Sequence, residues 1–298
     1  MRRNRMLKAS SGPNLRTRTE KIILSIFFVL FFAYALTLIA PMFWTLYNSL
    51  KTMRTYNEDP FFIPSFKEMM WENYEKIFDE DFITVSIPFA IFNTVWRTVG
   101  SVSLSMFFTA CTSYVVAKYA HEFKWLNWVY AFVVTIMIVP VLGSTAAAYE
   151  INHNILQIAN KPWLYWIGWT TGIGFSFLML YSAWQSLSWS YAEAAFMDGA
   201  SNFRVFFNIM LPMIKPVLSA LFVVNFIGGW SEYMETILYM DEWPTLGYMV
   251  YSLQSQSQYF GMPMYVSVIV ISMIPTTIVF IAFQETIMKN VTTGGLKG

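Results

Sequence analysis

The chain has 298 residues, of which 56% are hydrophobic, 19% aromatic and only 12% charged, with a formal net charge of +1. Soluble domains carry about a quarter charged residues, so this balance excludes an ordinary soluble fold and predicts an all-α integral membrane protein. One cysteine, Cys111, excludes an intramolecular disulfide, and in a membrane chain the sidedness of charge matters more than its near-zero sum.

Hydrocarbon about 30 Å thick takes about 20 apolar residues at helical rise. That ruler marks six spans, at 22–49, 89–117, 126–148, 164–186, 214–238 and 263–284. They are read as helices because a lone helix satisfies its own backbone in lipid and an open sheet does not. Residues 1–21 form a basic tail, MRRNRMLKASSGPNLRTRTEK, ahead of the first span. Pro41-Met42-Phe43-Trp44 offers no small-residue cleavage site, so the first span reads as an uncleaved anchor. Residues 22–290 then read as one six-span domain and 291–298 as a C-terminal tail.

In span two, Arg97 lies about nine residues past Pro88, or roughly 13 Å along the helix. A cation at that depth faces a counter-charge or a wet cavity. Glu232 is a candidate partner for it, and Glu235 lies near the same end of span five. Cys111 sits in an apolar run and reads as a small core residue. Trp163, Trp166 and Trp169, at the start of span four, read as an interface anchor. His121 and His153 fall in loops on opposite sides, so no catalytic or metal-binding cluster is expected.

Between spans four and five lies EAAFMDGASNFRVFFNIMLP, Glu193 to Pro212. Ser190-Tyr191-Ala192-Glu193 has the spacing of a capping box, which starts a helix at Tyr191. Gly199 closes that helix in the left-handed region, and Ser201 caps a second helix that runs through Phe203, Phe206 and Phe207 until Pro212 interrupts it. Ala192, Ala194 and Ala195 make the first helix thin enough to enter a groove on another protein. Its acids, Glu193 and Asp198, have no neighbouring base in the helix, which argues against a helix lying on an anionic leaflet; Arg204 is an alternative partner within the chain. In span five, Asn225, Trp230, Ser231, Glu232 and Tyr233 combine an amide, a carboxylate and ring faces. Such groups bind hydroxyls and stack on sugar rings, and Trp and Tyr near a helix end equally fit an interfacial belt.

Orientation comes from the bases. With the N-terminus inside, thirteen of the nineteen, from Arg2 to Lys297, fall on the inner side, while eight of the eighteen acids lie in the loop between spans one and two. Both termini and the 190–212 loop are therefore expected on the cytoplasmic side.

Glu193-Ala194-Ala195, Asp198-Gly199, and then Ile209, Leu211 and Pro212 resemble the EAA signature of the permease subunits of bacterial ABC importers. NSLK after span one, FIPSF and ENYEKIF in the loop after it, DGAS, GGWSEY in span five and the terminal TTGGLKG resemble the carbohydrate, maltose-permease-like branch. The resemblance runs from about residue 20, departing at Leu187-Ser188-Trp189, where a proline commonly stands, and in the basic N-terminal tail. It implies a multi-pass bacterial cell-membrane subunit whose 190–212 loop is a cytoplasmic coupling helix. Glu193, Ala194, Ala195, Asp198, Gly199, Leu211 and Pro212 would act there on a partner ATPase, and the tail of Gly294, Gly295 and Lys297 would reach into the ATPase pair. It further implies a second, similar permease, two ATPase copies, an extracytoplasmic solute-binding protein and a sugar substrate, with no nucleic-acid partner. No cofactor is expected in this chain: ATP and Mg would be bound by the ATPase, because no G-x-x-x-x-G-K-[ST] loop is present. Arg97, Asn225, Trp230, Glu232 and Tyr233 are the expected translocation path. A permease of the same architecture for phosphate or peptide is the nearest alternative. A secondary transporter is disfavoured because the halves show no repeat, and a membrane enzyme because no catalytic cluster is present.

Overall fold

The computed structural model describes residues 18–79, 86–139, 144–167 and 174–294, and every regular element in them is helical. Among the described residues, three helices are long and apolar enough to cross a membrane: α1 (Arg18–Ser49), α4 (Ile87–Tyr119) and the Met262–Glu285 part of α16 (Met262–Gly294). These match the first, second and sixth expected spans, each a single continuous helix despite Pro41 in α1, Arg97 in α4 and Pro275 in α16. Between α1 and α4 lie two short helices, α2 (Met53–Glu58) and α3 (Glu72–Lys76).

The expected third and fourth spans are broken. α5 (Leu126–Ile138) is succeeded by α6 (Ser144–Glu150) and a π-helical turn at Ile151–Ile155, then by α7 (Leu164–Ile167) and α8 (Phe175–Ser186). The links 140–143 and 168–173, and with them Trp169, lie outside the described residues.

After α9 (Ser190–Met197) the chain runs through α10 (Asn202–Arg204), a π turn at Val205–Met210 and α11 (Leu211–Met213) into α12 (Lys215–Trp230). The segment before Ile214 and α12 meet at 74° and make a fourth span only if counted as one. Two prolines account for the bend. Pro212 has no N–H and its ring crowds the carbonyl one turn back. The turn before it widens, with Leu211 N–H reaching Phe206 O, five residues back. The break itself falls at Ile214, two residues past the expected position, and Pro216 then opens α12. α12 stops at Trp230, short of the expected 238. Beyond it lie α13 (Met234–Tyr239), α14 (Leu246–Ser255) and α15 (Ser257–Phe260).

α4 is the central element, touching α5, α7, α8, α12 and α14, while α16 packs on α12, α14 and α1. Close approach of α4 and α12 depends on Gly229, where a Cβ would stand 3.3 Å from Thr98 Cγ2. One core gathers Met106, Tyr114, Trp184, Ala192, Phe206 and Met210 at the α9 end. A second gathers Ile87, Phe226, Trp230, Leu246, Met249 and Val268 towards the start of α4. α1 is lipid-like over most of its length and buries only its last turn, Asn48 and Ser49.

Candidate functional site

The first candidate site is the α9 tip. Its expected capping box is not formed: α9 begins at Ser190 with Trp189 as its cap residue, and Ser188 Oγ accepts the Ser190 amide at 3.3 Å and shares a hydrogen bond with the Ser190 hydroxyl at 2.7 Å. Ser188 thus occupies the side chain that would have capped, and Glu193 is left in the first turn with its amide bonded to Trp189 O.

The other end forms as expected. Gly199 stands at φ +79°, its N–H reaches Phe196 O at 3.0 Å, and Ala200 N–H reaches Ala195 O at 2.9 Å. This pair of bonds is the Schellman closure, which satisfies two terminal carbonyls. Ser201 then accepts the Arg204 amide at 3.4 Å and caps α10.

The alanines divide by face. Ala192 and Ala195 are buried in the core with Tyr114, Trp184 and Phe206, so they seat α9 on its own chain, contrary to the expectation that they thin it for an outside groove. Ala194, Glu193 and Asp198 face outward, with Met197 88% exposed and, beyond the turn, Phe203 77% exposed. Leu211 is half-buried on the same core and Pro212 is exposed.

The seat is fixed by polar stitches where α4 and α8 end. Lys118 Nζ donates to Leu187 O at 2.6 Å and Gln185 Nε2 to Ala117 O at 2.9 Å, so each helix caps carbonyls of the other. Trp184 Nε1 donates to Ser113 Oγ at 3.0 Å inside the core. Gly294 closes α16, whereas Gly295 and Lys297 of the expected tail lie outside the described residues, as does the basic tail before Arg18.

The second site surrounds Arg97, which is 1% exposed. Its counter-charge is Glu235, not Glu232: Nε and Nη2 reach Glu235 Oε2 at 3.1 and 2.5 Å, Nη1 donates to Gly229 O at 2.8 Å, and the guanidinium lies 5.2 Å from the Tyr165 ring centroid. Glu232 is occupied elsewhere. Its Oε1 accepts the amides of Met234 and Glu235 at 2.7 and 3.2 Å and so caps α13.

Around the pair, Tyr165 Oη donates to Trp243 O at 2.6 Å, Asn93 Nδ2 donates to Pro244 O at 3.0 Å, and Leu246 N–H donates to Thr94 Oγ1 at 2.7 Å. These bonds stitch the α13–α14 segment to α7 and α4. Sequence reading missed Tyr165 and Gly247 and ranked Glu235 behind Glu232; Gly247 approaches Glu232 O so closely that a Cβ would stand 2.8 Å away.

The other residues expected on a path are placed separately. Trp230 is 2% exposed, with Nε1 donating to Ser272 O at 3.0 Å. Asn225 donates to Ser176 Oγ at 3.0 Å, and Tyr233 stacks on Tyr251 with centroids 5.0 Å apart. Trp166 lies on Gly100 and Trp96, so this member of the tryptophan cluster packs on α4.

A third polar knot joins two separated motifs. Asn73 Nδ2, in ENYEKIF, donates to Ser49 O and Lys51 O, both at 2.8 Å, in NSLK. Lys51 Nζ donates to Asp59 O and Pro60 O over the Tyr47 ring. Burial lowers the Lys51 ammonium pKa from its ordinary value, an effect Asp59 opposes. Among the described residues no group of histidine, cysteine and acid side chains is arranged to hold a metal.

Residues 162–293 match the family described as binding-protein-dependent transport system inner membrane component. The chain is 26% identical over 264 residues to the diacetylchitobiose uptake system permease protein of Streptomyces coelicolor, covering 88% of this chain and 85% of that one. It is 26% identical over 290 residues to the arabinooligosaccharides transport system permease protein of Bacillus subtilis, covering 93% and 96%. It is 22% identical over 265 residues to the melibiose/raffinose/stachyose import permease protein of the same organism, covering 87% and 91%. Among solved structures, a chain of a bacterial ABC transporter involved in import of the acidic polysaccharide alginate superposes with a TM-score of 0.71 at 20% identity, covering 91% of this chain and 98% of that one.

Proposed function

We infer from its match to the binding-protein-dependent transport permeases that this chain is the inner-membrane permease subunit of an ABC importer for a sugar or oligosaccharide. It is a transport component, and ATP hydrolysis lies with a separate ATPase. The three curated relatives are permeases for di- and oligosaccharides, which supports the carbohydrate reading over phosphate or peptide.

The α9 tip is read as the coupling helix, on the cytoplasmic side with both termini. One observation carries this reading: α9 has its inner face locked into the core of α4, α8 and the π turn, while Glu193, Met197 and Asp198 project from a tip fixed by the Gly199 closure. A rigid, exposed tip on a packed lever is what transmits motion from a partner to the spans. Closure of two ATPase copies would move α9, and α9 moves with α4 and α8 because Ala192 and Ala195 pack into their shared core, while Lys118, Gln185 and Trp184 tie α4 and α8 to each other. The spans, six in this reading with breaks in the third to fifth, would then alternate access around a path shared with a second permease. A binding protein delivers the solute on the far side. The terminal glycines, Gly294 and Gly295 with Lys297, would reach the ATPase pair. Where the solute passes, Arg97 with Glu235 holds the ends of α4 and α13 together, and Asn225, Glu232 and Tyr233 lie on the elements joined to them.

Copurification tests the coupling role. Met197→Ser and Glu193→Lys leave the buried face of α9 untouched, so the permease should insert normally while recovery of the ATPase falls at least about tenfold, the loss of a contact worth about 1.4 kcal/mol or more. Undiminished recovery with both changes together would show that the ATPase docks elsewhere.

A further inference from the structure

α5 has 13 residues and is therefore about 20 Å long, short of the roughly 30 Å of hydrocarbon. The chain beyond it is polar. α6 and its π turn are exposed along most of their length and carry Ser144, Thr145, Tyr149, Glu150, Asn152, His153 and Asn154. Lipid does not accept such a face, so it meets water or protein.

The face is also organised. Tyr149 stacks on His153 with centroids 4.1 Å apart and planes at 20°, and Tyr239 of α13 lies 6.0 Å from His153 and 6.3 Å from Tyr149. Asn152 lies in the π turn beside His153, Asn154 Nδ2 donates to Glu150 Oε2 at 2.9 Å, and Asn160 N–H donates to Tyr239 O at 2.7 Å. Tyr149 stays 42% exposed, and His153 Nδ1 is buried with no hydrogen-bond partner among the described residues. Widened π turns recur at functional sites. One turn before Tyr239, Glu235 holds Arg97, so this shelf adjoins the Arg97 site.

We propose that the shelf formed by Tyr149, Glu150, Asn152, His153 and Tyr239 is a binding site for a neutral oligosaccharide in passage, a proposal that rests on the permease reading. Ring faces take the C–H faces of a sugar, and a carboxylate beside amides takes vicinal hydroxyls. Glu150 sets the class: no cation pairs with it among the described residues, so the shelf repels acidic sugars.

The test uses the complete transporter in liposomes with its binding protein, supplied with raffinose or diacetylchitobiose, and reads sugar imported per ATP hydrolysed. Tyr149→Ala should lower that ratio about fivefold through loss of the ring contact, while hydrolysis and ATPase copurification persist; Tyr149→Phe should stay within about twofold, since the ring face remains. An unchanged ratio in Tyr149→Ala, or an equal fall in Tyr149→Phe, overturns the proposal. A second measurement does not depend on turnover. Tyr149→Cys in a Cys111→Ser background should react with a maleimide, and saturating raffinose should slow that reaction about fivefold by covering the ring position; absence of protection overturns the site. A wild-type transporter that imports no neutral oligosaccharide overturns the carbohydrate reading with it, which separates the two failures.

Discussion

Arg97 shows how a single buried charge organises its neighbours. Placing an arginine near mid-membrane costs about 2.5–3.5 kcal/mol on insertion scales, and Glu235, Gly229 O and the Tyr165 ring together answer it. Removing one member of a buried pair costs about 3–5 kcal/mol because the other charge is stranded. Glu235→Ala should therefore impair insertion or uptake severely, and Arg97→Ala added to it should recover part of the loss. Glu232→Ala should not rescue Arg97→Ala, because Glu232 caps α13 instead of holding the guanidinium. Uptake of the single and double variants, normalised to membrane-inserted protein, gives the interaction energy. No recovery in the Arg97→Ala/Glu235→Ala pair would show that the ion pair is energetically neutral. The need for a counter-charge was legible in the sequence; its identity was not. Glu232 and Glu235 are three residues apart, and a helix restarts between them, which only the tertiary stitching of α13 to α4 decides.

At the scale of elements, glycines fix two joints for different reasons. A Cβ at Gly199 would meet nothing within 4 Å, so its demand is conformational: φ is +79°. Gly199→Ala should cost about 1 kcal/mol and Gly199→Val more, through left-handed strain, and both should lower transport by disturbing the α9 tip. Wild-type uptake in Gly199→Val would show that the tip geometry does not matter. Gly247 is the steric case, since a Cβ there meets the Glu232 and Ser231 carbonyl oxygens at 2.8 and 3.0 Å. Gly247→Ala must push α14 away and should cost about 1–3 kcal/mol of stability, read as a lower unfolding temperature in detergent. Gly199 announces itself in sequence because it ends a helical run, whereas Gly247 carries no local signal of the backbone it will meet. The α9 start escapes sequence reading for a related reason: Ser188 competes for Ser190 at a range of two residues, where spacing rules see only the S-x-x-E pattern.

For the whole molecule, the legible spans are those that form one continuous helix, α1, α4 and α16, even with Pro41, Arg97 and Pro275 inside them. Of the others, the third leads into the polar α6 shelf and the fifth turns through 74° between Pro212 and Pro216. Two ends emerge, the α9 lever with its core and the Arg97 network, with α4 running through both. α1 stands apart. It packs on α16 and is secured at its last turn, where Ser267 Oγ reaches Ser49 O at 3.2 Å and Asn73 reaches Ser49 O and Lys51 O. Asn73 therefore holds the segment after α1 to the segment before α4 as well as holding α1 to the body. Asn73→Ala leaves the buried Lys51 carbonyl without the Asn73 bond and weakens the bonding at Ser49, and each unsatisfied group costs about 1–3 kcal/mol. The variant should lose about 2 kcal/mol of stability, seen as a lower unfolding temperature of the purified protein. Amide exchange should quicken at Met70, whose N–H bonds Leu50 O, and at Tyr74, while amides in α9 keep their protection. Equal loss of protection at both ends would mean that the α1 knot and the α9 lever unfold as one unit, and that α4 couples them more tightly than their separate cores imply.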